Sequence, residues 1–405
     1  MILLSHPTAN PNVRQAARAL AEVGLLKEFW TCINWVDGGL FDRALFLSPR
    51  LRNELRRRSF GNEIRPFIRT YPAREWARLF FGQLGFGQFA PFAADAIVES
   101  LDRRVAQRLG VARVDAVYAY DGGALESFRV AKDRGVKCVY EHPIVYWKKV
   151  QALQREEAEL HPEWTSTLLA LRDTEEKLRR KDQELALADL IIVPSTFSKI
   201  SLVEAGISPT RVRVIPYSAP PVGQRTDSRE KNDKLRVLFA GALSQAKGLG
   251  YLLEAASNIS REVELTLIGR RMSPAIPDPK VLDRHRWIPS LPHQQLLDEM
   301  SRQDVLALPS LHEGFGLVVL EAMAQGVPVI TTANTGAADV IENGVDGFIV
   351  PIRSADAIAE KLELLYRDRD RLAKMKEAAR LKASTRSWQT YRDSVAALAR
   401  EVMAS

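Results

Sequence analysis

Short apolar runs alternate with amphipathic stretches along the whole chain. In the first half MILLS (1–5), DAVYAY (115–120), KCVYE (137–141), LIIVPS (190–195) and VRVIPY (212–217) read as strands. In the second half LRVLFAG (235–241), ELTLIG (264–269), DVLALPS (304–310), VPVITT (327–332) and GFIVP (347–351) do the same. Between them apolar residues recur at helical spacing, as in NVRQAARALAEVG (12–24), LGYLLEAASNI (249–259), HQQLLDEMSR (293–302) and DAIAEKLELLYR (356–367). Strands alternating with helices imply parallel sheets covered on both faces. Each half carries its own series, so the expected fold class is α/β, with two doubly wound Rossmann-like domains in tandem.

The boundary between them is expected near 218–233, where SAPPVGQRTDSREKND is polar, contains proline and lacks apolar periodicity. Residues 1–220 are assigned to the first domain and 221–386 to the second, with a last helix over 387–405 crossing back onto the first. Trp388, in STRSWQTYRD, anchors that helix by packing. A charge-rich stretch over about 151–187, broken at Pro162, reads as a helical pair inserted in the first domain. Its spacing favours a solvated helix decorated with ion pairs.

Length supports this division: 405 residues exceed one ordinary core. No apolar run approaches the ~18–20 residues that span a bilayer. The opening MILLSHPTANPN has no basic region ahead of its apolar run and reads as a first buried strand, not a signal peptide. Cys32 and Cys138 both sit in apolar surroundings, which points to two buried thiols and a cytoplasmic setting rather than a disulfide framework.

The net charge of +7 is uneven, about +6 over 1–220 and about +1 beyond. Residues 51–80 hold eight arginines against three glutamates, interleaved with Phe60, Ile64, Phe67, Ile68, Trp76, Leu79 and Phe80. Residues 51–81 suit anionic lipid headgroups at a membrane face, which peripheral attachment needs. They equally suit an ordinary helix surface. Nucleic acid is disfavoured, because no recognised motif accompanies the charge.

The chemistry concentrates in HEGFGLVVLEAMAQGVPVI (312–330). A strand ends at Ser310, a glycine turn follows, and LVVLEAMAQG has helical spacing closed by Gly326. Strand, glycine turn and helix start form an anion site, with unpaired amides at Gly314, Phe315, Gly316 and Leu317. Glu321 lies about a turn and a half into the helix, placed for hydroxyls beyond a phosphate, as an acidic residue serves a ribose. Glu313 faces the other side. The pair does not suit a glycosidase dyad, whose carboxyls stand ~5–9.5 Å apart. Eight residues of mostly helix separate these backbones by roughly 10 Å.

A cation comes from FAGALSQAKGLGYLLEA, where Gly241 ends a strand and Lys247 precedes a helix. A helix dipole disfavours lysine there, and a phosphate partner explains it.

These residues resemble a known family. EGFGLVVLE resembles the E-x7-E motif of retaining family-4 glycosyltransferases of the GT-B fold, whose two domains face each other across a cleft. GALSQAKG resembles their strand–loop–Lys-Gly element. ELALADLIIVPSTFSKISLVEAGISPTRVRVIPYSA and TTANTGAADVIENGVDGFIVP resemble the flanking segments. The resemblance runs from about 180 to 385 and is weak over 1–140, the part that varies with acceptor. It implies that Glu321 binds ribose hydroxyls, that Glu313 holds sugar hydroxyls near the anomeric carbon, and that Lys247 with the 315–317 amides holds the diphosphate. It further implies that backbone around Ile288, Pro289 and Ser290 meets the base and that His142 meets the donor sugar across the cleft. No cofactor or metal is required.

Two positions depart from the family. Ala242 and Ala246 stand where one subgroup or another carries a second phosphate-binding arginine. Arg270, Arg271 or a first-domain basic residue is the expected substitute. Asp121, ending the strand of YAYDGG, and Asn10 and Asn12, in the first-strand loop, are further candidates. His6 reads as a weaker one. Asp368-Arg369-Asp370 spells the metal string of other glycosyltransferases, but it lies in a charged helical run and reads as solvated surface. Gly85-Phe86-Gly87 reads as a turn.

The expectation is therefore a retaining, metal-independent hexosyltransferase-type enzyme. It moves a sugar from a nucleotide-diphosphate sugar to a glycan or lipid-linked acceptor. The alternatives are a non-catalytic sugar-nucleotide-binding subunit and an epimerase-like enzyme on the same fold.

Overall fold

A computed structural model of the chain describes residues 1–36, 55–83, 90–223, 234–272, 277 and 279–404. Gly85-Phe86-Gly87 lies outside them. Among the described residues thirteen strands form two sheets, and every pairing is parallel. The first sheet contains β1 (Ile2–Ser5), β2 (Leu26–Thr31), β3 (Ile68–Thr70), β4 (Ala116–Tyr120), β5 (Lys137–Glu141), β6 (Leu190–Val193) and β7 (Val212–Val214). Its order is β3-β2-β1-β4-β5-β6-β7. The second contains β8 (Leu235–Ala240), β9 (Val263–Ile268), β10 (Arg286–Ile288), β11 (Val305–Leu308), β12 (Val329–Thr332) and β13 (Gly347–Val350), in the order β10-β9-β8-β11-β12-β13. Each sheet grows outward in both directions from its first strand. The order therefore reverses beside β1 and β4, and again beside β8 and β11, and such switch points bind ligands at the carboxyl ends of the strands.

The expected apolar runs are the central strands, buried along nearly their whole length. Two strands were not legible. Lys27 and Glu28 interrupt the apolar pattern of β2, yet Glu28 is buried. Burial opposes its charge, but Arg108, at 2.6 Å, and the Trp30 indole, at 2.8 Å, outweigh it and hold the carboxyl below its ordinary range. β3 is only three residues long.

The 151–187 stretch departs from expectation. Helix Trp147–Leu160 is followed by 3-10 turns at Pro162–Thr167 and Leu169–Arg172 and by helix Glu175–Leu187. Gln151, Gln154, Glu157, Lys181 and Glu184 are buried, so this is not a solvated face. Gln151 is tied to Ala170 within the stretch, but Gln154, Glu157, Lys181 and Glu184 have partners in distant segments, which helical spacing cannot reveal.

The last helix, Trp388–Ala404, packs on helix Pro11–Glu22 of the first domain. Arg392 reaches Gln15 at 2.7 Å and Glu22 at 3.3 Å, and Trp388 stacks edge-on against the buried Tyr391. No helix among the described residues is long and apolar enough to cross a membrane.

Candidate active site

Two loops meet where the second sheet reverses. From β8 the chain passes Gly241, makes a 3-10 turn over Gln245–Lys247 and enters helix Leu249–Asn258 through Gly248, at φ +71°. Only glycine fits there, since a Cβ would lie 2.0 Å from the Pro309 carbonyl oxygen. From β11 the chain runs to helix Leu317–Ala324. The Leu311 amide donates to the Ala246 carbonyl at 3.0 Å and stitches the loops together. Lys247 Nζ thereby contacts Glu313 Oε2. Burial pulls the Lys247 ammonium down to about 8. The carboxylate beside it acts the other way and favours the charged form.

The glycine turn is pinned from the first domain. The Gly314 carbonyl accepts from Ser195 Oγ at 2.6 Å and from Ser198 Oγ at 3.3 Å. A Cβ on Gly314 would stand 2.1 Å from the Pro143 carbonyl oxygen, so the strand-end loop after β5 lies directly on the turn. Phe315 is buried, with its ring 5.4 Å from that of Tyr217 in the chain crossing between domains. Among the described residues the amides of Phe315, Gly316 and Leu317 have no acceptor within the chain. They form the unpaired start of the helix. Further along that helix Glu321 Oε1 lies 2.9 Å from His293 Nε2. The hydrogen bond to Glu321 raises the His293 pKa against the effect of burial.

The first domain contributes Asp121, at the end of β4, and His142, at the end of β5. His142 Nδ1 lies 3.1 Å from Asp121 Oδ1, which also accepts from the Tyr140 hydroxyl at 2.9 Å. Lys181 pairs with Asp121 Oδ2 at 2.9 Å. Burial works against the Asp121 charge, but Lys181 and His142 outweigh it and hold the carboxyl well below the carboxylate range. His142 is 1% exposed, and its Nε2 has no hydrogen-bond partner. A carboxylate on Nδ1 favours the tautomer that carries its proton there and leaves Nε2 as an acceptor.

The helical insertion reaches across to the second domain. Fully buried Glu157 accepts from Gln245 Nε2 at 2.7 Å, Tyr251 Oη at 2.8 Å and Arg353 Nε at 2.8 Å. The Gln245 amide donates to Thr167 Oγ1 at 3.0 Å. Gln154 Nε2 lies 3.0 Å from His312 Nε2. Burial, aided by the Lys247 charge, lowers His312 to about 4, so it accepts as a neutral ring. Both loops that carry Lys247 and Glu313 are thus braced from the other domain.

The other sequence candidates divide. The Gly241 amide donates to the Ile268 carbonyl and the Gly269 amide to the Ile288 carbonyl, each at 2.9 Å. Gly241 and Ile288 therefore lie along one carboxyl edge, and Pro289 and Ser290 follow exposed. Arg270 is exposed beside the first loop, its carbonyl accepting the Leu243 amide at 3.0 Å, whereas the Arg271 guanidinium lies 4.0 Å over the Trp287 ring. Asn10 Oδ1 accepts from Thr8 Oγ1 at 3.2 Å. Asn12 is not a loop donor toward a ligand: its buried amide donates to Glu141 Oε1 at 2.8 Å and to Tyr217 Oη at 3.2 Å. His6 packs edge-on to Tyr120 and bonds Thr8, a turn role. Asp368 caps helix Arg369–Ser384 through the Arg371 amide at 2.9 Å. Of the basic stretch, Arg58 and Arg78 both pair with buried Glu75, and Arg69 and Arg74 donate to carbonyls.

Sequence reasoning missed Gln154, Glu157, Lys181, Ser195 and Ser198. Ser195 ends the strand-like run LIIVPS, where a sheet of this class presents ligand-side residues, and that was the one available signal; Ser198 follows in helix Thr196–Glu204.

Residues 224–382 match the family described as Glycosyl transferases group 1. A D-inositol 3-phosphate glycosyltransferase of Xylanimonas cellulosilytica is 29% identical over 51% of this chain and 56% of its own. The chain spans about half the length of the curated relatives it matches. Sucrose-phosphate synthase of Thermosynechococcus elongatus superposes with a TM-score of 0.67 at 18% identity, covering 100% of this chain and 99% of its own. Anabaena Alr3699/HepE, solved in complex with UDP and glucose, gives 0.60 at 19% identity and covers 98% of each chain. At such identities these likenesses speak to fold alone. The group 1 match thus covers most of the second domain, and the paired switch-point sheets share the fold of these solved neighbours.

Proposed function

We propose that the protein is a retaining, metal-independent glycosyltransferase that moves a sugar from a nucleotide-diphosphate sugar to a glycan or lipid-linked acceptor. Its setting is polysaccharide or glycolipid assembly at the cytoplasmic membrane face. The observation that carries this reading is the contact between Lys247 and Glu313, delivered by the two strands that flank the switch point. A cation and the open amides of Phe315–Leu317 suit a diphosphate. A carboxylate beside them suits the sugar attached to it. Neighbours solved with UDP and with UDP-glucose support a donor of this class.

In this mechanism the bond from the anomeric carbon to the β-phosphate oxygen breaks first, toward an oxocarbenium ion. Lys247 and the amides stabilise the charge that develops on the leaving diphosphate. Glu313 stabilises the positive sugar, and His142 Nε2 accepts from a donor-sugar hydroxyl. The acceptor oxygen bonds the anomeric carbon on the face the phosphate leaves. Its proton passes to the departing phosphate oxygen, so configuration is retained. Closure of the two domains limits attack by water.

Thermal shift against a panel of nucleoside diphosphates and their sugar derivatives tests the donor, because binding stabilises by mass action. Transfer is then assayed for wild type, Glu313→Ala and Lys247→Ala, with and without EDTA. Unchanged transfer in either variant would refute the site. Loss of all activity in EDTA would refute the metal-free mechanism, and epimerised donor without acceptor would favour the rival chemistry.

A further inference from the structure

Helices Ala90–Leu109, Leu125–Asp133 and Glu175–Leu187 cover one face of the first sheet, sharing a core with β1, β4, β5 and β6. At the carboxyl edge of the strands they do not close on one another. They leave a cavity of about 770 Å³, within the range of small-molecule sites. The turn after β4 forms part of its wall, with Gly122 at φ +82° and open space where a Cβ would stand. Val98 and Leu125 supply apolar surface.

Asp121 belongs to this wall and also holds His142 Nδ1. The cavity therefore adjoins the histidine assigned to the donor sugar, on the domain opposite the diphosphate loops.

The charges around the cavity decide what it suits. Five cationic and five anionic side chains line it, so its net charge is zero. Most are engaged already. Lys177 pairs with Asp95 at 3.4 Å, Lys181 with Asp121 at 2.9 Å, and Glu126 with Arg129 at 3.1 Å. Arg180 is held by buried Asp102 at 2.6 Å, and Arg103 stands 3.9 Å from Glu99. Among the described residues Arg179 and Glu176 have no ion pair, one donor fork and one acceptor. A ligand of net charge gains little from a balanced wall. An alkyl chain would desolvate charged groups without replacing their hydrogen bonds. A hydroxyl-rich neutral ring both donates and accepts, and places its apolar faces on Val98 and Leu125.

We propose that this cavity seats the acceptor as an uncharged, hydroxyl-rich sugar unit, with any lipid portion of the acceptor held outside. This rests on the glycosyl-transfer reading above and narrows its acceptor.

The test uses the full chain. Nucleoside diphosphate binding is read by thermal shift, and saccharide binding by saturation-transfer NMR in the presence of that diphosphate. The probes are neutral mono- and disaccharides of glucose, galactose, mannose and N-acetylglucosamine, set against glucuronate, glucose 1-phosphate and an alkyl glycoside detergent below its micelle concentration. Val98→Trp fills the cavity, and Arg179→Ala changes its rim without touching the core. At least one neutral saccharide is expected to bind. Val98→Trp should weaken it at least tenfold and Arg179→Ala severalfold, with the diphosphate-induced shift unchanged in both. Absence of neutral-saccharide binding while a diphosphate binds would overturn the inference. So would tighter binding of the charged probes, or saccharide binding unaffected by both variants. If no nucleoside diphosphate shifts the wild type, the glycosyl-transfer reading itself fails, whatever the cavity binds.

Discussion

Lys247 and Glu313 touch across the gap between the β8 and β11 loops, so the cation assigned to the diphosphate is already shared with the carboxylate assigned to the sugar. A diphosphate arriving there competes with Glu313 for one ammonium. The ammonium carries the attraction, and burial has lowered its pKa to about 8. Its charged form therefore dominates at neutral pH and is lost as pH rises through the folded-state value. Affinity for a nucleoside diphosphate should therefore have an alkaline limb, falling by up to about tenfold per pH unit above ~8. Calorimetric titration from pH 6.5 to 9.5 measures this. Lys247→Arg should flatten the profile, because a guanidinium stays charged throughout.

Asp121 holds two dissimilar partners, the ring of His142 and the ammonium of Lys181. Asp121→Asn leaves Lys181, 10% exposed, without its carboxylate. Breaking a buried pair in this way costs about 3–5 kcal/mol. Denaturant unfolding should show that loss, and Asp121→Asn/Lys181→Met should recover most of it. Transfer should not recover. The charged hydrogen bond to Nδ1 is worth about 1.5–3 kcal/mol, so both variants should transfer roughly ten- to a hundredfold more slowly. Recovery of transfer together with stability would show that Asp121 serves only to hold Lys181.

The two sheets were legible because strands buried on both faces appear as unbroken apolar runs, and helices between them keep their period. Lys247 and Gly314 stood out in the sequence from a local clash of expectation, a lysine at a helix start and two glycines before one, and Glu321 from its place in the helix that follows. The contact of Lys247 with Glu313 was not, because 66 residues separate them. Glu157 was less legible still. On its own helix it is one carboxylate in a charged run, QREEAEL, and the donors that satisfy it, Gln245, Tyr251 and Arg353, all come from the second half of the chain. Asn12 misled for the same reason: a polar residue in a strand-end loop reads as a ligand donor until Glu141 is seen to take its amide.

Glu157 fixes the side chain of Gln245, two residues before Lys247, and Thr167 fixes the same residue's amide. Arg353, at φ +61°, is held in a left-handed conformation unfavourable to it and is gripped there by Glu156 and Glu157. Glu157→Ala leaves three donors without their acceptor. The fold should lose about 3 kcal/mol or more. The distinguishing readout is the donor KM, expected to rise at least severalfold with kcat falling less, since the loop is misplaced before chemistry begins. Equal kcat and KM for wild type and Glu157→Ala would limit Glu157 to a structural tie.

Glu321 is the residue assigned to ribose, and His293 occupies one of its oxygens at 2.9 Å. The bond to Glu321 raises the His293 pKa, so the pair is charged and tightest at acid pH and loosens as pH rises through that raised value. A ribose diol must compete with it. Nucleoside binding should therefore weaken as pH falls from 8 to 5.5. The loss should stay within about fivefold, because His293 is 60% exposed and such pairs contribute at most about 1 kcal/mol. Uridine set against uridine diphosphate separates this effect from that of Lys247, which acts on the diphosphate and at the alkaline end. His293→Ala should remove the acid limb and leave the alkaline limb in place. An acid limb that survives in His293→Ala would assign it to another group, such as the phosphate itself. A binding curve indifferent to Glu321→Gln would remove ribose from that carboxylate altogether.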